Sequence, residues 1–281
     1  MEGDPLNTDL KTIAREVRCD VIGMIGHLGV GHIGGCLSVV ELLTVLYFEA
    51  MENLDPKDPK KPGRDRFICS KGHAGPTVYA ALANRGYFDK DLLLTLNQGG
   101  TNLPSHCDMN RTPGVDMTTG SLGQGFSCAV GAALGAKLAK DGARVYTLVG
   151  DGECQEGQIW EAAMFAAAKK LDNLIGFVDY NKLQIDGPVA EVNDIAPLAD
   201  KWAAFGWNVI EVADGNDVEA VSAAIKAAKA NLGSGKPTMV ILHTVKGCGM
   251  QWAVDLGAGN HNTPVPAEVA EAAIRALRGE G

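Results

Sequence analysis

Five short apolar runs, each bounded by turn residues and separated from the next by helical periodicity, constrain the fold of this chain more than any other feature. They span residues 66–69, 144–149, 174–179, 208–212 and 238–244. None has the in–out alternation of a half-solvated antiparallel strand, so each reads as a strand covered on both faces. Helical segments are expected over residues 76–85, 125–139, 158–170, 195–205 and 217–232, so strand and helix alternate. This order predicts an α/β fold, a doubly wound and mostly parallel sheet flanked by helices, with its ligand at the carboxyl ends of the strands.

Two helices precede the first strand. Residues 9–28 carry Leu10, Ile13, Val17, Val21, Ile22 and Ile25 on one stripe and stop at Gly29. Ser38, with Glu41 three residues on, has the capping-box signature of a helix over residues 39–52, and residues 55–62 read as a surface turn. A last helix is expected over residues 266–278. No linker-like stretch divides the chain, so a single domain over residues 1–281 is expected.

Composition removes several alternatives. The 34 acidic residues outnumber the 25 basic ones, for a net charge of −9, and no Lys/Arg block suited to a phosphate backbone is present. Nucleic acid is therefore not an expected partner. No apolar run is long enough to span a bilayer, and residues 1–10 are polar and acidic rather than signal-like, so a cytoplasmic protein is expected, with no membrane partner. Seven cysteines form no C-x-x-C pair; most are expected to be buried fillers.

Glycine is the outlying residue, at 35 of 281, or about one in eight. The glycines cluster at 29–35, 120–125, 150–157 and 247–249, each beside polar residues, which points to loops whose backbone approaches a ligand. Gly29-Val-Gly-His-Ile-Gly34 formally matches a dinucleotide fingerprint, but it follows a helix rather than a strand, so no nicotinamide site is expected. A better-placed signal is Gly150-Asp151-Gly152 at the end of the second strand. Gly152 would let a diphosphate approach, and Asp151 is a hard oxygen ligand for Mg²⁺. Asn181 ends the neighbouring strand and could supply a second oxygen. Each group has a structural alternative: Asp151 as a helix cap, Asn181 as a left-handed turn residue, and Thr118-Thr119-Gly120 as a loop before a helix. Four of the six histidines, His32, His73, His106 and His261, lie in loops of small residues, where imidazoles titrating near neutrality could exchange protons with hydroxyls. His27 and His243 lie within a helix and a strand and read as structural.

With these residues in place, the chain resembles the transketolase family. GDGECQEGQIWEA followed by DYNKLQIDG is similar to the family's thiamine-diphosphate motif, and Thr118-Thr-Gly-Ser-Leu-Gly-Gln-Gly125, Ser70-Lys-Gly-His73 and Asp65-Arg-Phe resemble further signatures. The resemblance runs from His32 to His261. It implies thiamine diphosphate and Mg²⁺ as cofactors, the metal held by Asp151, Asn181 and the carbonyl of Leu183. His73 and Gly152 match contacts to the diphosphate, Gly120 and Leu122 backbone contacts to the aminopyrimidine, Ile185 an apolar cofactor contact, and Glu156 a glutamate of the dimer-interface network. His32, His106 and His261 match histidines facing the reacting carbon and the substrate hydroxyls, and His261 is also expected at the cofactor. The segment after His106, Cys107-Asp-Met-Asn-Arg-Thr, departs from the usual pattern.

The resemblance covers only the diphosphate half of such an enzyme, which implies the N-terminal subunit of a split transketolase. Its partner would be a C-terminal subunit carrying the pyrimidine-binding side, the two forming an α2β2 heterotetramer. The expected reaction moves a two-carbon ketol unit from a ketose phosphate or sulfonate to an aldose. Alternatives within the fold are a 1-deoxyxylulose-phosphate synthase-like or 2-oxoacid-decarboxylating subunit, or a non-catalytic module; the loop histidines favour transketolase.

Overall fold

The computed structural model describes residues 9–280, so residues 1–8 of the expected polar N-terminus lie outside it. The expected sheet is present: β1 (Arg66–Cys69), β2 (Val145–Gly150), β3 (Leu174–Tyr180), β4 (Asn208–Val212) and β5 (Thr238–His243), in the order β1-β2-β3-β5-β4 with every pairing parallel. The first helix, α1 (Leu10–Leu28), is followed by the short α2 (Ile33–Leu37) and α3 (Val40–Val45). Next come α4 (Gly75–Asn84), α5 (Gln124–Ala139), α6 (Gly157–Ala168), α7 (Leu198–Ala204), α8 (Val218–Ala230) and α9 (Ala267–Arg278).

Alternate strand residues feed two separate cores, as the two-residue period of a strand requires. Tyr146 and Leu148 point into one core with α1, α3, α4 and α8, while Val145 and Val149 point into the other with α5, α6 and α7. Both faces of the inner strands are therefore dry, which explains their apolar runs, while the edge strand β4 is half-buried and exposes Glu211. Among the described residues no helix is long and apolar enough to cross a membrane.

The first helix runs as expected: the Asp9 side chain accepts from the Thr12 amide at 3.0 Å, and Gly29 closes the helix at φ 84°. The capping box does not form. Ser38 follows α2 instead of starting α3, and its buried hydroxyl donates to Asp179 Oδ2 at 2.7 Å; Glu41 is ion-paired with Arg18 at 2.5 Å. Both side chains find buried ionic partners stronger than a helix amide. The helix expected over residues 39–52 is α3 followed by a widened π turn at Leu46–Ala50.

The fingerprint-like segment is no nucleotide loop. Val30–Gly31 pairs antiparallel with Thr263–Pro264 and so holds His32 close to the loop of His261. Several glycines serve protein packing and not a ligand: a Cβ at Gly125 would lie 2.6 Å from Ser70 Cα, and one at Gly34 would lie 2.1 Å from the Asn260 side chain. Five of the seven free cysteines are buried, and Cys128 and Cys248 are half-buried.

The Arg18–Glu41 pair is nearly dry, with Arg18 Nε also donating to the Cys248 carbonyl at 3.1 Å. Replacing Glu41 by Ala strands the guanidinium and is expected to lower unfolding stability by about 3–5 kcal/mol, read as a reduced urea midpoint at unchanged slope.

Candidate functional site

Strand register builds the site. Gly150 pairs with Asp179, and the Asp151 amide donates to the Asp179 carbonyl at 3.2 Å, so β2 and β3 end level and Asp151 lies beside Asn181. The ends of β1 and β5 add Lys71, His73 and Lys246. Together with the loops of His32, His106 and His261 they enclose a cavity of about 310 Å³ at the carboxyl edge of the sheet. All of the residues singled out by sequence, His32, His73, His106, Gly120, Leu122, Asp151, Gly152, Glu156, Asn181, Leu183, Ile185 and His261, line this one cavity. His27 and His243 do not; His243 Nε2 lies 3.2 Å from Glu211 Oε2.

The four loop histidines meet ring to ring. His32 lies 5.4 Å from His73 and 5.5 Å from both His106 and His261, and His73 lies 5.0 Å from His261, centroid to centroid. Burial makes a charged imidazole costly here, and the ammonium groups of Lys71 and Lys246 add to the penalty. His32 is pushed down to about 4 and His261 to about 3, His73 falls well below the usual range, and His106 is lowered by burial. The expectation of imidazoles titrating near neutrality is therefore corrected. At neutral pH they are neutral donors and acceptors, and a nearby negative charge would favour their proton uptake.

Asp151, Asn181 and Leu183 present oxygens to one corner. Asp151 Oδ1 accepts from the Gly152 amide at 2.8 Å and Oδ2 from the Lys182 amide, while the Leu183 carbonyl accepts from Lys246 Nζ at 3.1 Å. The capping alternative for Asp151 is thus realised together with its place at the cavity, and Lys182, not Asn181, takes the left-handed conformation at φ 68°. Burial, followed by the nearby charge of Asp179, raises Asp151 to about 7. A buried carboxylate disfavoured as an anion, next to two neutral oxygens, fits a hard divalent cation that a ligand's own oxygens would complete. Among the described residues no three His, Cys, Asp or Glu side chains form a metal cluster.

Sequence reasoning missed four charged groups. Lys71, 1% exposed, lies 2.5 Å from the fully buried Asp179 and donates to the Gly35 carbonyl at 2.9 Å. Glu153 is buried and accepts from Ser70 Oγ and the Gly123 and Gly150 amides, joining three loops. Lys246, lowered to about 8 by burial and then by Lys71, reaches His261 Nδ1 at 3.2 Å. Lys71 and Asp179 stood within recognised motifs, but their pairing is a tertiary fact. Two ammonium groups and four neutral imidazoles around an oxygen corner suit a polyanion bound through a cation.

Residues 10–278 match the family described as "Transketolase, thiamine diphosphate binding domain". The chain belongs to the transketolase family. It is 52% identical over 273 residues to the 6-deoxy-6-sulfo-D-fructose transketolase subunit SqwG of Clostridium sp. (strain MSTE9), covering 97% of this chain and 98% of that one. It is 41% identical to one of the subunits of the apulose-4-phosphate transketolase of Actinobacillus succinogenes, with 99% and 97% coverage. Human transketolase is 37% identical, over 95% of this chain but 42% of its own. The transketolase structure from Leishmania mexicana superposes with a TM-score of 0.88 at 32% identity, over 97% of this chain and 41% of that one. The chain is thus a transketolase subunit with the thiamine-diphosphate-binding fold, spanning about two fifths of the full-length transketolases it matches.

The lowered histidines carry a pH signature. An unfolded chain takes up protons near pH 6.5 that the cavity refuses until about 4 at His32 and about 3 at His261, so the histidines' share of stability is lost as pH falls below 6.5, opposed by Asp151, whose carboxyl is raised to about 7. Urea unfolding between pH 7 and 4.5 should show this loss, and His32→Asn with His261→Asn should reduce it.

Proposed function

We propose that this chain, joined to a second subunit bearing the pyrimidine-binding side, transfers a two-carbon ketol unit from a ketose with a sulfonate or phosphate terminus to an aldose. The observation carrying this reading is the convergence of the twelve candidate site residues on one cavity at the carboxyl ends of the strands. The similarity to a subunit named for 6-deoxy-6-sulfo-D-fructose favours that sugar as the first donor to test, before apulose 4-phosphate. Residues 1–281 act in this reading as one diphosphate-binding domain of a cytoplasmic enzyme.

Thiamine diphosphate, when bound, supplies the electron sink that holds the two-carbon unit between half-reactions. The chain's residues do the rest. Asp151, the Asn181 amide oxygen and the Leu183 carbonyl hold Mg²⁺, with His73 and Gly152 at the diphosphate and Gly120, Leu122 and Ile185 against the organic rings. His32, His106 and His261 hydrogen-bond the sugar hydroxyls as neutral imidazoles and take a proton only where negative charge develops. Glu156 is exposed at the cavity edge, where it would join a network across the subunit contact. Leu122, at 36% exposed, and Ile185, at 62%, leave apolar surface at the mouth, which supports coverage by a partner and an α2β2 assembly.

Tests separate binding from chemistry. Asp151→Ala, assembled with the partner, is expected to abolish Mg²⁺-dependent binding of thiamine diphosphate in calorimetry, and His73→Ala to weaken it. His32→Ala and His261→Ala should instead lower kcat by about 10²-fold or more with cofactor affinity nearly unchanged. A coupled ketol-transfer assay on the isolated chain with both cofactors should give no turnover until the partner is added; robust turnover without it would refute the split-subunit reading.

A further inference from the structure

Asp179 lies behind the cavity wall, fully buried, and four side chains converge on its carboxylate. Ser38 Oγ donates to Oδ2 at 2.7 Å, Lys71 Nζ at 2.5 Å and Asn181 Nδ2 at 2.8 Å, while Thr244 Oγ1 donates to Oδ1 at 2.5 Å. These donors come from the end of α2, the turn after β1, the end of β3 and the end of β5. A residue needed only to neutralise Lys71 would not require them all.

The bond to Asn181 has a specific consequence. A carboxylate in this setting only accepts hydrogen bonds, so the NH₂ end of the Asn181 amide must face it. At the other end, Asn181 Oδ1 accepts from the Leu183 amide at 3.0 Å, and an N–H can only donate. Rotating the amide by half a turn would set oxygen against carboxylate and NH₂ against N–H, losing both bonds. The amide orientation is thereby fixed from two sides, and its oxygen is left on the side of the Lys182–Leu183 backbone, whose Lys182 amide donates to Asp151. An amide nitrogen has no lone pair to offer a metal, so a flipped Asn181 would remove one ligand outright.

We propose that Asp179 is a positioning residue of the cation site: by accepting from Asn181 Nδ2 it forces the amide oxygen toward the metal corner. Lys71, Ser38 and Thr244 hold the carboxylate in the orientation that does this. The inference rests on the reading of Asn181 as a Mg²⁺ ligand and extends it to a residue that touches neither metal nor cofactor.

A substitution and its rescue test it, with Mg²⁺-dependent binding of thiamine diphosphate to the assembled complex measured by calorimetry. Asp179→Leu keeps the branched side-chain shape but removes both acceptor oxygens, so the neighbouring amide is free to turn, and is expected to weaken binding by about 10-fold or more. The double variant Asp179→Leu with Asn181→Asp places at the ligand position a carboxylate, which presents oxygen whichever way it turns and needs no acceptor behind it. It should recover binding to within about threefold of the parent, whereas a merely structural loss at 179 would multiply with the loss at 181. Parent-like binding by Asp179→Leu, or a folded double variant as weak as the product of the two singles, would overturn the proposal.

Asn181→Ala provides the separate control. Unchanged Mg²⁺ dependence there would reject the metal assignment itself, while loss there with none in Asp179→Leu rejects only the positioning role. Should Asp179→Leu fail to fold by circular dichroism, the parent complex still answers through its Asn181 side-chain amide protons. They should be protected from exchange with solvent in the NMR spectrum even without Mg²⁺, and rapid exchange would overturn the proposal.

Discussion

The ion pair of Lys71 and Asp179 is the interaction around which the site is organised. Both partners are essentially without water, and a buried pair of this kind is a weak source of net stability because desolvation offsets its attraction. Burial alone would raise the Asp179 carboxyl, yet the charge and hydrogen bond of Lys71 hold it below the usual carboxylate range. What the pair provides is location. The loop after β1 is held against the end of β3, and the hydroxyls of Ser38 and Thr244 bring α2 and β5 to the same point.

Glu153 performs a comparable service on the other side of the cavity. Its carboxylate binds Ser70, Gly123 and Gly150 at once, so the turn carrying Lys71 and His73 is fastened from both ends. Two buried carboxylates thus set the spacing between the oxygen corner and the imidazoles. The cavity wall then carries two ammonium groups and four neutral rings beside the oxygen corner of Asp151, a lining suited to an anion held through a bridging cation.

The strands were legible because strands covered on both faces write themselves as apolar runs bounded by turn residues, clearest in the fully buried Leu174–Val178; at the sheet edge Asn208–Val212 has the expected limits although Glu211 faces solvent. The candidate site was legible because loop residues that must approach one ligand keep their order along the chain. Other features were hidden for physical reasons. Ser38 and Glu41 satisfy a local helix-capping rule, and only the fold supplies the competing charges at Asp179 and Arg18 that draw them away. The histidine protonation states depend on burial and on Lys246, which a loop sequence does not disclose. The glycines beside His32 resemble a nucleotide loop in sequence, yet their positions are dictated by the end of α1 and by the crossing at Thr263–Pro264.

That crossing bears on how the site comes into being. His32 and His261 share a cavity only because Val30–Gly31 pairs with Thr263–Pro264, and the nearby Arg18–Cys248 contact spans 230 positions. Closing so long a loop is a slow, non-local event. The histidine cluster therefore cannot form on the first half of the chain as it leaves the ribosome; it waits for the segment after β5. Occupancy of the cavity consequently reports on the whole fold, and a ligand that fills it stabilises the first and last described helices together rather than one loop.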